Sequence, residues 1–391
     1  MGALSRMGLV TLMNLRSVPL RLGSSLVIVV GMAGVVGVLI SMLGMVGGLS
    51  EAMLATGSPG RAVVLRNSAT AEINSVLTAE TIARIAAAPG IARTAGGDPA
   101  ITTDMIVAVN QPKRDGTTGA LTLRGVSPAN RTVRSQIRIV EGRMFEPGLR
   151  ELVIGRNAAT EYANTQVGDQ VQMRENPWTI VGIFESGDSF ESILLADVST
   201  LLSASQRTAV SSATVLLATP DSFEQFKQAL TTDPSIEVQV QRESEYYAAQ
   251  SEQNQAILSV ISNVVAVIMA IGALFAALNS MYSAVSTRTV EIATLRAMGF
   301  GSGSVVISVL IEAMLLAIAG ALLGSLIAWL LFGNNTISMG NQISSIVFQV
   351  KVTPSLVLTG IVWACVVGFL GGLLPALRAA RRNVAEALRA V

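Results

Sequence analysis

Histidine is absent from the 391-residue sequence, and cysteine occurs once, as Cys365. The lack of histidine excludes the usual histidine-based catalytic triads, and together with the single cysteine it argues against a zinc site. One cysteine also cannot form an intrachain disulfide, so every folded part must be held by packing. We therefore expect no catalytic residues, no metal site and no cofactor bound by this chain.

Charged residues are also scarce, at 14% of the sequence against 51% hydrophobic residues. None of the three lysines closes a glycine-rich phosphate loop, which excludes ATP hydrolysis by a P-loop in this sequence. The net charge of +1, without long basic runs, gives no reason to expect nucleic acid as a partner. A mean hydropathy of +0.56 is instead typical of a membrane protein, with lipid as a partner.

Four long stretches lack charge and are candidate membrane spans: 22–50, 255–287, 297–350, which only Glu312 interrupts, and 352–377. Each contains the roughly 20 apolar residues that a helix needs to cross a bilayer. A cleaved signal peptide is the alternative for the first stretch, although its apolar part is about twice the usual length.

The predicted fold class is membrane α-helical, with four transmembrane helices and an α+β extracytoplasmic domain inserted between the first and second. The predicted boundaries are an N-terminal amphipathic helix at 1–21, TM1 at 22–50, the extracytoplasmic domain at 51–253, TM2 with a stalk extension at 254–287, a coupling segment at 288–302, TM3 at 303–332, a short extracytoplasmic loop at 333–353, TM4 at 354–377 and a C-terminal helix at 378–391.

Charge asymmetry predicts the orientation of these helices. Basic residues flank the spans on one side, which is the cytoplasmic side by the positive-inside rule: Arg6, Arg16, Arg21, Arg288, Arg296, Arg378, Arg381, Arg382 and Arg389. Every aspartate falls between 51 and 253, which is therefore placed outside the cytoplasm. Both termini are expected to be cytoplasmic.

A long helix is expected to connect the two sides. Residues 241–298 contain no proline and only one glycine, Gly272. One continuous helix would reach about 85 Å and project from the membrane as a stalk. The alternative is two helices separated by a polar turn near Gln253.

Within the large domain, several segments have clear local patterns. "ELVIGRNAATEYA" predicts a strand followed by a helix, and "VGDQVQMRENPWTIVGIFES" predicts a hairpin. "RAVVLRN" is typical of a strand, whereas "TAETIARIAAAPGI" and "SFEQFKQALTTDP" are typical of helices.

The short link between the second and third spans is the candidate site for coupling to an ATPase. Its candidate residues are Arg288, Glu291, Ile292, Leu295, Arg296 and Gly299. In a helix, Arg288 and Glu291 are neighbours on one face, the apolar residues supply a docking surface and Gly299 can end the helix. A solvated turn whose arginines only enforce topology is the alternative.

The spans carry a few polar and small residues of interest. Asn279 and Glu312 are intramembrane polar residues, and the carboxylate of Glu312 needs a partner or water; a structural role is favoured over proton transport. Glycines at helical spacing predict close helix approach, within the chain or in a dimer: Gly31, Gly34, Gly37, Gly320 and Gly324, with a further pair at Gly44 and Gly48.

"STRTVEIATLRAMGFGSGSV" followed by "LIEAMLLAIAGALLG" resembles the coupling segment and third span of the MacB/FtsX-like permeases of ABC systems. "RIVEGRMFEPGLRELVIGRNAA" is similar to their outer-domain core, and "PALRAARRNVAEALR" to their terminal helix. Two departures are Ala293, where glycine commonly follows Glu-Ile, and Val384, where proline commonly precedes Glu-Ala-Leu-Arg.

The resemblance implies a non-catalytic subunit of the inner membrane. Two permease chains would work with a separate ATPase subunit that binds ATP and Mg, and ATP-driven motion would reach the outer domains mechanically. Export of a periplasmic substrate, through a periplasmic adaptor and outer-membrane duct, is the leading expectation. Activation of a cell-wall hydrolase by a non-transporting scaffold and lipoprotein extraction are the alternatives.

Overall fold

The computed structural model describes residues 22–173, 176–233, 235–298, 301–333, 336–340 and 345–381. The predicted helix at 1–21, Gly299, Val384 and the rest of 382–391 lie outside the described residues. The chain divides into two compact units. We call 1–47, 256–335 and 350–391 the helical unit, and 48–255 with 336–349 the sheet unit.

Four helices are long and apolar enough to cross a membrane among the described residues. They are α1 (Leu22–Thr56), α7 (Glu243–Thr287), α9 (Ser302–Phe332) and α10 (Pro354–Arg381). Proline at the first position of α10 suits a helix start, because its missing N–H would have no partner there. The predictions of four apolar helices and an α+β domain are confirmed.

Small residues let these helices approach closely within the helical unit. A Cβ atom at Gly320 would lie 2.6 Å from the carbonyl oxygen of Val29, and one at Gly324 would clash with the carbonyl oxygen of Ala33. Gly37 faces Gly324 from α1. In contrast, a Cβ at Gly31 or Gly34 would meet nothing within 4 Å.

The sheet unit contains a ten-stranded mixed sheet. Its strands are β1 (Arg61–Arg66), β2 (Ile101–Pro112), β3 (Thr118–Val126), β4 (Arg138–Gly142), β5 (Glu151–Gly155), β6 (Gln170–Met173), β7 (Asn176–Glu185), β8 (Ile193–Asp197), β9 (Ser212–Leu216) and β10 (Val238–Arg242). The strand order is β10-β1-β9-β2-β3-β8-β5-β7-β4, with β6 paired to β7. Two pairs, β3 with β8 and β5 with β7, are parallel.

Short helices cover this sheet: α2 (Ala79–Ala87), α3 (Asn130–Val133), α4 (Arg156–Glu161), α5 (Val198–Ser205) and α6 (Phe223–Thr231). Their apolar faces and the strands enclose one large core that includes Trp178, Tyr162 and Phe226, all fully buried. The local predictions are confirmed here, because β5 leads into α4 and β6 pairs with β7 as a hairpin.

The helix α7 runs unbroken past Gln253, which removes the alternative of a polar turn there. Its 45 residues span about 68 Å at 1.5 Å per residue. It ends at Thr287 rather than continuing to Met298, because Arg288 has non-helical backbone angles of φ −104° and ψ 13°. A separate helix, α8 (Thr289–Ala297), follows.

The segment between α9 and α10 is more ordered than a simple loop. It contains two paired antiparallel strands, β11 (Thr336–Gly340) and β12 (Ser345–Gln349). Both strands belong to the sheet unit although the helices that flank them belong to the helical unit. The strand β12 is held in the sheet unit by hydrogen bonds between the backbone of Val347 and the hydroxyl of Ser192.

Candidate functional site

The first residue of α7, Glu243, is fully buried in the sheet unit between two arginines. Its carboxylate pairs with Nη1 of Arg134 at 2.6 Å and with Nε of Arg61. The backbone N–H of Ser58 also donates to this carboxylate, at 3.1 Å. A negative charge at the beginning of a helix is additionally favoured by the helix dipole.

The same cluster holds the end of α1. The Nη2 atom of Arg61 donates to the carbonyl oxygen of Thr56, the last residue of α1, at 3.0 Å. One carboxylate therefore joins the end of the first long helix to the start of the second. We call Thr56, Arg61, Arg134 and Glu243 the junction cluster.

Beyond the junction cluster, α1 and α7 stay in contact within the sheet unit. Gln255 donates to the hydroxyl of Ser50 at 2.6 Å, and Ser251 does so at 3.0 Å. Tyr246 and Tyr247, in the first turn of α7, pack in a cluster with residues of β1, β5 and β8. These contacts make the two helices a paired stalk that is anchored on the sheet.

A second group of buried charges adjoins the junction cluster. Arg124 lies between Asp104, at 2.6 Å, and Glu72, at 2.5 Å, and Ser212 donates to Glu72. Burial opposes ionisation of Glu72, but the Arg124 guanidinium outweighs it and holds the pKa of that carboxyl below its ordinary value. For Asp104, burial is the larger influence and raises the pKa despite Arg124.

The two charge groups meet at one aromatic ring. The guanidinium carbons of Arg124 and Arg134 lie 4.9 and 4.3 Å from the ring centroid of Phe190. Three arginines and three carboxylates thus form a buried, charge-balanced network, in which each guanidinium faces an acid. Burying such charges is costly unless all are paired, so the arrangement favours one fixed geometry.

Phe190 belongs to a 3₁₀ segment, Ser189–Ser192, where further connections converge. The backbone N–H of Ser189 donates to the hydroxyl of Thr56 at 3.1 Å. The hydroxyl of Ser192 donates to the carbonyl oxygen of Val347 in β12 at 2.9 Å and accepts from its N–H at 2.8 Å. The hairpin that connects α9 to α10 is therefore fixed to the same segment that contacts the end of α1.

In the helical unit, the predicted residue Glu312 has a specific partner. Its carboxylate lies 3.2 Å from Nη1 of Arg288, and both side chains are buried, with 6% and 5% of their surfaces exposed. Arg288 occupies the break between α7 and α8. The pair therefore fixes the point where the long helix ends against α9.

This position of Arg288 differs from the sequence prediction. Arg288 precedes α8 and points inward, so it does not share an exposed face with Glu291. The exposed surface of α8 instead includes Val290, Glu291 and Thr294, whereas Ile292 and Arg296 are half-buried. Leu295 lies in α8, and Ala293, at the position of the common glycine, is buried.

Asn279, the other predicted intramembrane polar residue, is exposed on α7 and is not brought together with Glu312 by the described contacts. Among the described residues there is also no group of three or more Cys, Asp or Glu side chains that suits a metal ion. The arrangement of charges connects the ends of two long helices to the sheet.

Sequence reasoning missed the buried network of the sheet unit. A signal was present in two strands. Asp104 and Arg124 are charged, but the residues two positions before and after each of them on the same side of the strand are buried. Charged residues at inward positions indicate a buried ion pair. Which acid meets which arginine depends on strand order, and the sequence alone does not show that order.

Four membrane-length apolar helices among the described residues indicate a multi-pass membrane protein. A family model described as the MacB-like periplasmic core domain matches residues 25–233, more than half of the chain. A second, described as the FtsX-like permease C-terminal domain, matches residues 263–384. The chain belongs to the MacB/FtsX-like family of ABC permeases.

A search of curated proteins gave no match. Similar solved structures include the extracellular domain of the noncanonic ABC-type transporter YknZ from Gram-positive bacteria, at 15% identity and a TM-score of 0.36, covering 46% of this chain and 99% of that one. The periplasmic region of MacB from Actinobacillus actinomycetemcomitans is 12% identical, with a TM-score of 0.38, and the match covers 51% of this chain and 94% of that one. A domain of a permease protein from Porphyromonas gingivalis is 14% identical, with a TM-score of 0.31, and the match covers 46% of this chain and 88% of that one. These TM-scores are below 0.5, so the assignment rests on the two family models.

The junction cluster predicts a large cost for removing one charge. In Glu243→Gln, Arg61 and Arg134 lose their carboxylate while they remain buried, so the free energy of unfolding should fall by about 3 kcal/mol. This is measured by chemical denaturation of the full chain in detergent, with the fluorescence of buried Trp178 as the signal. Trp329→Phe and Trp363→Phe remove the other two tryptophans, so that only Trp178 reports. The control is Glu245→Gln, two residues along the same helix but 65% exposed, which should leave the midpoint unchanged. Equal effects of the two variants would contradict the role of the cluster.

The pair of Arg288 and Glu312 predicts a strong energetic coupling. Each of Arg288→Ala and Glu312→Ala leaves a buried charge and should lower the thermal unfolding midpoint of the chain in nanodiscs. The loss of unfolding free energy in the double variant should be smaller than the sum of the two single losses, by about 1 kcal/mol or more. Glu291→Ala is the control for an exposed acid, and strict additivity of the two single losses would show that the pair is not coupled.

Proposed function

We propose that this chain is the permease subunit of an ABC complex and that it transmits ATP-driven motion from a separate cytoplasmic ATPase to its sheet unit. The observation that supports the proposal best is the helix α7. It begins at the buried Glu243 in the sheet unit and ends, 45 residues later, beside the Arg288 and Glu312 pair. A continuous helix with both ends fixed by buried ion pairs is suited to transmit displacement.

The proposed layout has the sheet unit between the first and second membrane helices and outside the cytoplasm. The inner membrane is the proposed location, with cytoplasmic termini. The basic residues that flank the spans and the restriction of aspartate to 51–253 support this orientation. The boundaries given above for the segments remain predictions.

The proposed contact with the ATPase is the exposed surface of α8. Family membership implies an ABC ATPase partner. The surface combines an acid, Glu291, with apolar Val290, and Met298, the residue that follows α8, adjoins it. Val290 is 40% exposed and Met298 is 64% exposed. ATP and Mg would be bound by the ATPase, and this chain would be a non-catalytic subunit without a cofactor of its own.

A charge reversal tests this contact. Glu291→Arg should lower permease-dependent ATPase activity of the purified complex about tenfold, because it places a wrong charge in the docking surface. Glu224→Arg, at an acid on α6 that is also exposed, should have no effect. The measurement is ATPase activity of the co-purified pair in nanodiscs. Activity of Glu291→Arg equal to that of the control would rule out docking through this surface.

A second copy of the chain is the proposed partner of α7. Of the four long helices, α7 is the least buried by the rest of the described chain. In its most apolar stretch 17% of the residues are buried, whereas the corresponding share is 33–44% in the other three helices. Six of its exposed apolar residues recur at alternating intervals of four and three, and Val260 and Val267 beside them are also exposed. The six are Ile257, Ile261, Val264, Ile268, Ile271 and Phe275. That spacing is typical of a helix that pairs with another helix along a coiled-coil seam.

Cysteine cross-linking tests the dimer. In a Cys365→Ser background, Ile268→Cys should form a disulfide-linked homodimer in membranes, because the two seams bring residue 268 close to its counterpart. The control is Leu330→Cys on α9, which is 66% exposed but lies outside the seam. Cross-linking of both sites to the same extent, or of neither, would contradict pairing through α7.

Export of a periplasmic substrate is the process we favour, with a periplasmic adaptor as a further partner. A non-transporting scaffold that activates a cell-wall hydrolase, or one that extracts lipoproteins, would use the same mechanical connection. Proteins cross-linked to the sheet unit in cells distinguish these processes: an adaptor supports export, whereas a wall hydrolase or a lipoprotein carrier supports the respective alternative.

A further inference from the structure

The edge of β2 contains a gap in its hydrogen bonding. The carbonyl oxygen of Asp104 accepts from Ser211, and the N–H of Ile106 donates to the hydroxyl of Ser211. Farther along the strand, the carbonyl oxygen of Pro112 accepts from Ala163. These even-numbered residues thus direct their backbone groups away from β3, because the groups of an antiparallel strand alternate between its two edges.

Ala108 and Asn110 lie inside this gap and have the same parity. The strand β9 pairs with β2 only from Ile101 to Asp104, and β3 uses the opposite edge. No hydrogen bond joins the backbone N–H and C=O groups of Ala108 or Asn110 to another described residue. The gap is about 20 Å long, the length of about six extended residues.

A cavity of about 390 Å³ lies against this edge, lined by Val107, Ala108, Val109, Asn110 and, on other elements, Gln172, Met173, Ser205 and Arg207. Arg207 is exposed, and no acid pairs with it in the part of the chain that the structure describes. The site therefore combines two residues with available backbone donors and acceptors, apolar strand side chains and one cation.

We propose that this groove binds an extended segment of a partner protein, which adds a short strand to the edge of β2 and places an acidic side chain on Arg207. Only a peptide backbone supplies donors and acceptors at the spacing of Ala108 and Asn110. The carboxylate is the group that complements a lone guanidinium. This inference does not depend on the ATPase contact or on the direction of transport.

The test uses the full chain in nanodiscs and a display library of random peptides of about ten residues. Selection on the wild-type chain should enrich peptides that alternate apolar and polar residues and contain Asp or Glu. Ala108→Pro removes one edge donor at a position where proline is compatible with a strand edge, and should weaken the best peptide about tenfold. Ala108→Val keeps the donor and is the matched control. Arg207→Glu should weaken acidic peptides by a similar factor.

A protein-independent arm removes the donors from the peptide instead. Two versions of the best peptide are N-methylated at alternate residues, one at the odd and one at the even positions. The version whose methyl groups replace the N–H donors that face β2 should lose binding, and the other should keep it. This comparison remains valid even if Ala108→Pro does not fold. The proposal is overturned if selection enriches no peptide or if a second copy of the chain occupies the groove. It is also overturned if both methylated peptides bind as tightly as the unmethylated one, or if Ala108→Pro binds the peptide as tightly as the wild-type chain.

Discussion

The buried carboxylate of Glu243 is the group that joins the ends of α1 and α7 to each other and to the sheet. It begins α7, and through Arg61 it reaches the last residue of α1, while Arg134 links it to the ring of Phe190. Because the charges are buried, each remains tolerable only while its partners stay in place. The ion pairs therefore favour one position of the helix ends on the sheet, because loss of any one partner would leave a buried charge unpaired.

The 3₁₀ segment Ser189–Ser192 extends this connection. Its first residue contacts Thr56 at the end of α1, and its last contacts Val347 in the hairpin between α9 and α10. All the chain segments that lead from the sheet unit to the four long helices thus meet around one short turn. The mechanical role proposed for the chain would require such a shared attachment.

Local patterns predicted much of the secondary structure. The hairpin of β6 and β7 and the succession of β5 and α4 are recognisable from sequence because each depends on neighbouring residues. The absence of proline and the single glycine between 241 and 298 likewise indicated the long helix α7, but not its end at Arg288. At that break Arg288 contacts Glu312, 24 positions away, and local propensity does not encode such a contact.

The candidate site was harder to predict for the same reason. Glu312 was recognisable as a membrane-embedded acid, whereas its partner was assigned to a docking surface. The network of the sheet unit involves strands that are distant in sequence, such as Arg61 and Glu243, 182 positions apart. Pairings of that kind follow from the mixed strand order, and parallel neighbours such as β3 and β8 have no local signature.

The proposed role depends on the continuity of α7, which a proline in its exposed first part would interrupt. Gln253→Pro should kink the stalk where it is exposed, with Gln253→Ala as the control. A spin label at Glu224→Cys, in a Cys365→Ser background, marks the sheet unit of each of the two copies in the complex with the ATPase. The distance between the two labels is measured before and after ATP is trapped, and it reports the movement of the sheet units. The ATP-dependent change in distance should persist in Gln253→Ala and disappear in Gln253→Pro while ATP hydrolysis continues. An unchanged response in Gln253→Pro would show that motion reaches the sheet unit by another route.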